Sequence, residues 1–243
     1  IRLSLVGSEM CIRDSVSPVV GAAAQSLAPD ARLLAGAART QERAGAQPRY
    51  YNSILAIRPD GTVDGRFDKL HLVPFGEYLP FQSALERLGI MQLTQLPGGF
   101  SAAQERQSGG VEGVPPFLPL ICYEVIFPNE IRRQPGDAFI LNVTNDAWYG
   151  DTPGPYQHLA HARLTAVALG LPLVRAANSG ISIVTDSAGR DVARIGLGER
   201  GTIAAALPAP GGQTVFAQYG SLVFWLMSAA ALLTVSTLRR SHS

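Results

Sequence analysis

The chain has 243 residues, 47% of them hydrophobic and 16% charged, with a formal net charge of +1. That length and apolar content suit one large domain or two small ones; they exclude a disordered segment, and the near-neutral balance argues against a nucleic-acid binder. Two cysteines, Cys11 and Cys122, are too few for a disulfide framework. Lys69 is the one lysine among 20 basic residues. Arginine stays protonated, whereas lysine is a compact, titratable amine. A lysine retained in so arginine-biased a chain marks a position where the amine itself matters.

Residues 1–15 (IRLSLVGSEMCIRDS) carry no helical or strand period continuous with the chain beyond them, and they read as an adapter or cloning scar. Glu9, Arg13 and Asp14 interrupt the apolar stretch that a signal peptide would need. Residues 16–207 have the texture of an α/β domain. Arg32–Ala38 and Tyr50–Arg58 are β-rich runs, and Pro59-Asp60-Gly61 turns the chain into a returning strand over Thr62–Phe67. Glu86–Gly113, rich in Gly and Gln, reads as a long surface excursion, with Gly98–Gly113 as a mobile lid. Phe117–Cys122 and Ala138–Thr144 are compact apolar runs of the kind buried strands show. Pro128–Arg133 begins a short helix, and Pro155–Leu169 is a full helix opened by proline and closed at Gly170. Leu173–Ala177 and Ile181–Asp186 read as strands, and Ser187–Arg190 turns the chain into Asp191–Ile195.

The C-terminal zone differs chemically. Residues 201–238 hold no formal charge, and after a linker over 208–218, Tyr219–Leu238 supplies 20 apolar-rich residues, the length that crosses a hydrocarbon core of about 30 Å. Arg239-Arg240 open a tail over 239–243 that the positive-inside tendency puts in the cytoplasm, with the domain on the far side of the membrane.

Cys122 ends an apolar run and is followed by Tyr123-Glu124. A strand ending in a sharp turn exposes a nucleophile and frees the following N–H groups for an oxyanion. An isolated cysteine also serves as a small buried hydrophobe. His71, His158 and His161 match no cysteine-protease signature. Lys69 offers another activation, since a cation beside a thiol favours thiolate and can stabilise a tetrahedral oxyanion. Glu77, eight residues on and past Pro74 and Gly76, is placed to hold the ammonium. His158 and His161 stand three apart on the predicted helix without a third ligand in a known spacing, so neither a metal nor a cofactor is expected. Asn142-Val-Thr144 is formally a glycosylation triplet in a predicted buried strand.

Phe67-Asp-Lys-Leu-His-Leu-Val-Pro-Phe-Gly-Glu-Tyr78, Ile121-Cys-Tyr-Glu-Val-Ile-Phe127 and Val143-Thr-Asn-Asp-Ala-Trp-Tyr149 resemble the nitrilase, or carbon–nitrogen hydrolase, superfamily. Within it they are most similar to the apolipoprotein N-acyltransferase family of the bacterial inner membrane. Tyr50-Tyr-Asn-Ser53 and Val174-Arg-Ala-Ala-Asn-Ser-Gly-Ile-Ser182 fit the same family. The resemblance implies an αββα sandwich followed by one C-terminal transmembrane helix, and a Glu-Lys-Cys triad. Carried over, Cys122 is the nucleophile, Lys69 stabilises the intermediates and Glu77 is the supporting glutamate. Tyr123 and Glu124 flank the nucleophile. Read from the residues, Asn145-Asp146 and Trp148 either shape the pocket near the nucleophile or form a purely structural turn.

Two departures stand out. The family's Trp-Pro-Glu segment, which carries the general base, has no match here, so the chain reads as a C-terminal fragment that is inactive alone. Where relatives carry an Arg-Ala-x-Glu pattern, this chain has Thr165-Ala166-Val167-Ala168. The reaction implied moves an acyl chain from a phospholipid, through a cysteine thioester, to a diacylglyceryl apolipoprotein. The expected parent is a monomer of the inner membrane with its catalytic domain in the periplasm. The rival readings are an amidase acting on a small amide and a non-catalytic, membrane-tethered domain that binds lipoproteins.

Overall fold

The computed structural model describes residues 11–12, 18–26, 28–81, 87 and 99–241. The rest of the expected adapter lies outside them, and its Cys11–Ile12 form a two-residue strand, β1, paired parallel with Ala38 and Arg39. Next along the chain come α1 (Pro18–Gln25), β2 (Leu33–Gln41), β3 (Arg49–Ile57), β4 (Val63–Asp68), β5 (Gly109–Val111), β6 (Val114–Ile121), β7 (Phe139–Asn145), α2 (Gly154–Leu169), β8 (Leu173–Asn178), β9 (Ser182–Thr185) and β10 (Asp191–Ile195). Two further helices, α3 (Val215–Tyr219) and α4 (Leu222–Ser241), end the chain. Strands β1 to β4 make one sheet in sequence order, and β10-β9-β8-β7-β6-β5 make the other, with β6, β7 and β8 parallel.

The period of two along each strand decides the layering. In β2, Leu33, Ala35 and Ala37 turn toward Ala24 of α1, while Leu34 turns into the space between the sheets. In β6, Phe117 and Ile121 face that same space, whereas Leu118 and Leu120 meet α2. Helix α2 answers with Leu159, Ala162, Ala166 and Leu169, a stripe at helical spacing. It ends at Gly170, whose φ of 66° supplies the left-handed cap. The result is the expected α-β-β-α stack. The sheets approach closely at Gly36, where an added Cβ would lie 2.8 Å from Cγ1 of Val143.

Two expectations are corrected. The segment expected as a lid is tied down where it is described. Phe100 N donates to Glu77 O, Ser101 N to Tyr50 O and Ala103 N to Lys69 O, at 2.7–2.8 Å. Gly109–Val111 then pairs with β6.

The expected membrane span over 219–238 is also redrawn. Tyr219 belongs to the short helix α3, Gly220 breaks the chain with a φ of 57°, and α4 begins only at Leu222. Among the described residues no helix is long and apolar enough to cross a membrane. What the sequence pattern detected is an exposed apolar helix, with Leu222, Phe224, Trp225, Leu226, Met227 and Leu232 all more than half exposed.

Phe117 is fully buried between Phe67 and Phe139, with ring centroids 5.2 and 5.5 Å away. Phe117→Ala should cost about 3–5 kcal/mol, read as a lowered urea midpoint. An unchanged midpoint would show that the inter-sheet core does not hold the sheets together.

Candidate active site

Lys69 follows β4 directly, and its backbone N–H donates to Asn52 O at 2.8 Å. Its side chain is 1% exposed, with Nζ 2.7 Å from Oε2 of Glu77. The chain returns to that point by a tight turn in which Phe75 adopts a φ of 62°, Phe75 N donates to Tyr78 O and Glu77 N donates to Val73 O. Glu77 also accepts from Val73 N at 2.8 Å on Oε2, and from Asn52 Nδ2 at 3.0 Å on Oε1. A buried charge survives only when paired and hydrogen-bonded, and here both conditions hold.

Cys122 sits where β6 stops. Its φ is 51°, a left-handed conformation that costs a non-glycine residue of order 1–3 kcal/mol, and it opens the 3₁₀ turn Cys122–Ile126. Its thiol is free and partly exposed. Because β6, β7 and β8 are parallel and in register, their carboxyl ends bring Cys122, Asn145 and Asn178 to one edge. Such edges are where open α/β sheets hold their ligands.

Glu124 joins the two sheets at this edge. It is 2% exposed, and its carboxylate accepts from Ile121 N (2.8 Å), Leu70 N (3.0 Å), His71 N (3.1 Å) and Arg106 Nη2 (3.0 Å). The backbone beside Lys69 is thus fastened two residues from Cys122. Glu124 thus ties the backbone next to the buried Lys69–Glu77 pair to the end of β6, where Cys122 opens its strained turn.

The profile of the carbon-nitrogen hydrolase family matches residues 22–215. The chain belongs to that family. It is 47% identical over 213 residues to an apolipoprotein N-acyltransferase of Rhodopseudomonas palustris, covering 86% of this chain and 39% of the relative. The chain therefore spans about two fifths of that relative's length. Among solved structures it resembles a carbon-nitrogen hydrolase from Helicobacter pylori G27, with a TM-score of 0.52, 17% identity and 75% and 64% of the two chains covered. A mutant amidase from Nesterenkonia sp. AN1, bearing the acetamide moiety of fluoroacetamide on its active-site cysteine, superposes with a TM-score of 0.50. It is 20% identical, over 78% of this chain and 66% of that one. At these identities the structural likeness concerns the fold alone.

Within this family fold, the expected residues divide by surroundings. Glu77 and Glu124 are buried and bonded rather than surface carboxylates. Tyr123 packs edge-on against Phe127 at 5.3 Å. Asn145 caps the turn Asp146–Tyr149 by accepting from Ala147 N at 3.1 Å, and Trp148 in that turn is 57% exposed. His161 is exposed while His158 is buried, so the two histidines share no site, and among the described residues no cluster of three or more metal-ligating side chains occurs.

What the sequence reading missed lies beneath Cys122. Arg175 is fully buried in β8, with Nη2 2.7 Å from Oδ2 of Asp146, and it also donates to Asn142 Oδ1. Asp146 meets Nδ1 of His158 at 3.0 Å, and His158 Nε2 lies 3.2 Å from the carbonyl oxygen of Cys122. The available signal was a charge inside the predicted apolar strand Leu173–Ala177, which requires a buried counter-charge. Burial drives the Asp146 carboxyl upward, but the His158 hydrogen bond and the Arg175 charge outweigh it and hold the group below the usual aspartate value. Burial pushes the Arg175 guanidinium down, against the pull of Asp146. Tyr149, whose ring lies 5.5 Å from that of His158, has its phenol pushed up to about 12, by burial first and then by negative charge at Cys122 and Asp146.

Glu77→Gln should leave Lys69 buried without a counter-charge and cost about 3–5 kcal/mol, measured by denaturant unfolding. Asp146 gives a sign for pH. A folded pKa below the ordinary 3.8 contributes stability that is complete above that value and is lost as pH falls toward the folded pKa. The acid limb of a stability–pH profile should therefore be shallower in Asp146→Asn than in the parent; identical limbs would remove Asp146 from the account.

Proposed function

We propose that the protein is an N-acyltransferase of bacterial lipoprotein maturation, acting at the periplasmic face of the inner membrane. The observation that carries this reading is the buried Lys69–Glu77 pair, fastened through Glu124 to the strained turn at Cys122. Similarity to the Rhodopseudomonas palustris apolipoprotein N-acyltransferase supports the apolipoprotein acceptor. In this proposal residues 16–207 form the catalytic domain and 208–218 the linker.

On this reading the Cys122 thiolate attacks the ester carbonyl of a phospholipid. The tetrahedral oxyanion collects beside the Lys69 ammonium and the N–H groups after Cys122, then collapses to a thioester and a lysophospholipid. The α-amino group of a diacylglyceryl-cysteine attacks that thioester, passes through a second oxyanion and leaves with the acyl chain as an amide. The general-base glutamate that the family resemblance implies takes the thiol proton and returns it to the departing lysophospholipid alkoxide, then takes the amine proton and returns it to the released Cys122 sulfur; no residue of this sequence is assigned to it. Glu77 keeps Lys69 in place, Glu124 keeps Cys122 beside it, and Tyr123, Asn145 and Trp148 line the approach. Both substrates are lipid-embedded, and the exposed apolar side chains of α4 suit contact with lipid.

Incubating the full-length parent enzyme with phospholipid should add an acyl mass to the peptide containing Cys122, and Cys122→Ser should abolish the adduct. A parent that hydrolyses small amides without forming the adduct would favour an amidase. Lipoprotein binding with no adduct at all would make the domain non-catalytic.

A further inference from the structure

The acyl-transfer chemistry leaves His158 unused, although the histidine is 3% exposed and surrounded by polar partners. Its Nε2 lies 3.2 Å from the carbonyl oxygen of Cys122, an acceptor only. That contact requires a proton on Nε2. Its Nδ1 faces Oδ1 of Asp146 at 3.0 Å and Nη2 of Arg175 at 3.2 Å, one an acceptor and the other a donor. A neutral Nε2–H ring can accept from Arg175 on Nδ1 but sets that lone pair against Oδ1 of Asp146, whereas a protonated ring donates from Nδ1 to Asp146. In both states Nε2–H stays on the carbonyl of Cys122. Only the neutral Nδ1–H tautomer breaks the contact, and it would also set Nδ1–H against the N–H groups of Arg175.

The surroundings leave this arrangement little freedom. Thr144 Oγ1 donates to Oδ1 of Asp146 at 3.0 Å. Asn142 accepts from Arg175 and donates through Nδ2 to Leu120 O at 3.1 Å and Cys122 O at 3.4 Å. Gly180 packs against the Asp146 carboxylate so closely that a Cβ there would overlap it. The groups facing His158 are thus Asp146, Arg175 and the Tyr149 ring, drawn from β8 and the turn after β7.

We infer that His158 is a positioning residue for the nucleophile, its Nε2–H holding the carbonyl of Cys122 so that the left-handed turn keeps its sulfur aimed at the reacting carbon. The inference deepens the reading of Cys122 as nucleophile and rests on it. Two side-chain donors on one carbonyl, from His158 and Asn142, do for this turn what a glycine does elsewhere: they hold a backbone conformation that an L-residue rarely adopts.

The test is the rate of alkylation of Cys122 by iodoacetamide, read by mass spectrometry of its own peptide across the neutral to alkaline range. In His158→Ala the rate should fall about tenfold, the equivalent of one hydrogen bond to the turn, and the pH midpoint of the profile should move. His158→Gln, whose amide N–H reaches a similar distance, should restore most of the rate. A folded His158→Ala variant with the parent's rate and midpoint overturns the inference, because a purely structural role would lower the melting temperature alone. Nitrogen-15 NMR of histidine in the unaltered protein decides the matter independently of any variant: a proton on Nε2 supports the inference, and the neutral Nδ1–H tautomer overturns it. Alkylation needs neither substrate, so a missing acyl adduct with the His158 effects intact would sink the acyl-transfer reading alone.

Discussion

A carboxylate with four N–H donors around it has almost no freedom to move, and Glu124 is such a group. Two of its donors belong to the loop after β4 of one sheet, a third ends β6 of the other, and the fourth is the guanidinium of Arg106. The sandwich could pack its apolar faces in slightly different offsets at little cost, since apolar contact is not directional. Hydrogen bonds to a buried carboxylate are directional, so Glu124 converts a loose alignment of sheets into a defined separation between the Lys69 loop and the Cys122 turn. Lys69 and Glu77 supply the next constraint, because neither tolerates burial without the other.

Much of the fold was legible from periodicity. The strand boundaries read from β-rich and apolar runs fall within a few residues of β2, β3, β4, β6, β7, β8, β9 and β10, because a short continuous apolar run reports a strand covered on both faces. The proline–glycine frame of α2 was equally readable. The pairing of two sheets into one stack was not, since sheet-on-sheet order is a long-range property, and it came from the resemblance of the motifs. The lid expected over Gly98–Gly113 failed for a related reason: composition shows glycine content but not the backbone bonds that tie Phe100, Ser101 and Ala103 to Glu77, Tyr50 and Lys69.

Of the site, Lys69 stood out by chemical isolation and Cys122 by its place at the end of an apolar run. The ionic group beneath them was not assembled from sequence, although Asp146, His158 and Arg175 had each been seen separately. They lie 12 to 29 residues apart, on a turn, a helix and a strand, and only the fold makes them neighbours. Asn142 illustrates the same limit. As a triplet it resembles a glycosylation acceptor, yet in β7 it is fully buried and spends its amide on Arg175 and the carbonyls of Leu120 and Cys122.

The root of α4 also has a geometric consequence. Ser221 Oγ lies 2.5 Å from Oδ1 of Asn129, and Phe216 and Ala217 pack on the same cluster as Val125 and Ile131. The stretch running from Cys122 to Ile131 therefore carries the free sulfur near one end and the footing of the apolar helix near the other. A shift of that helix against the domain would reach the thiol through fewer than a dozen residues of chain, without passing through either sheet. The spacing between that sulfur and the exposed apolar helix is in this way set by one short run of chain.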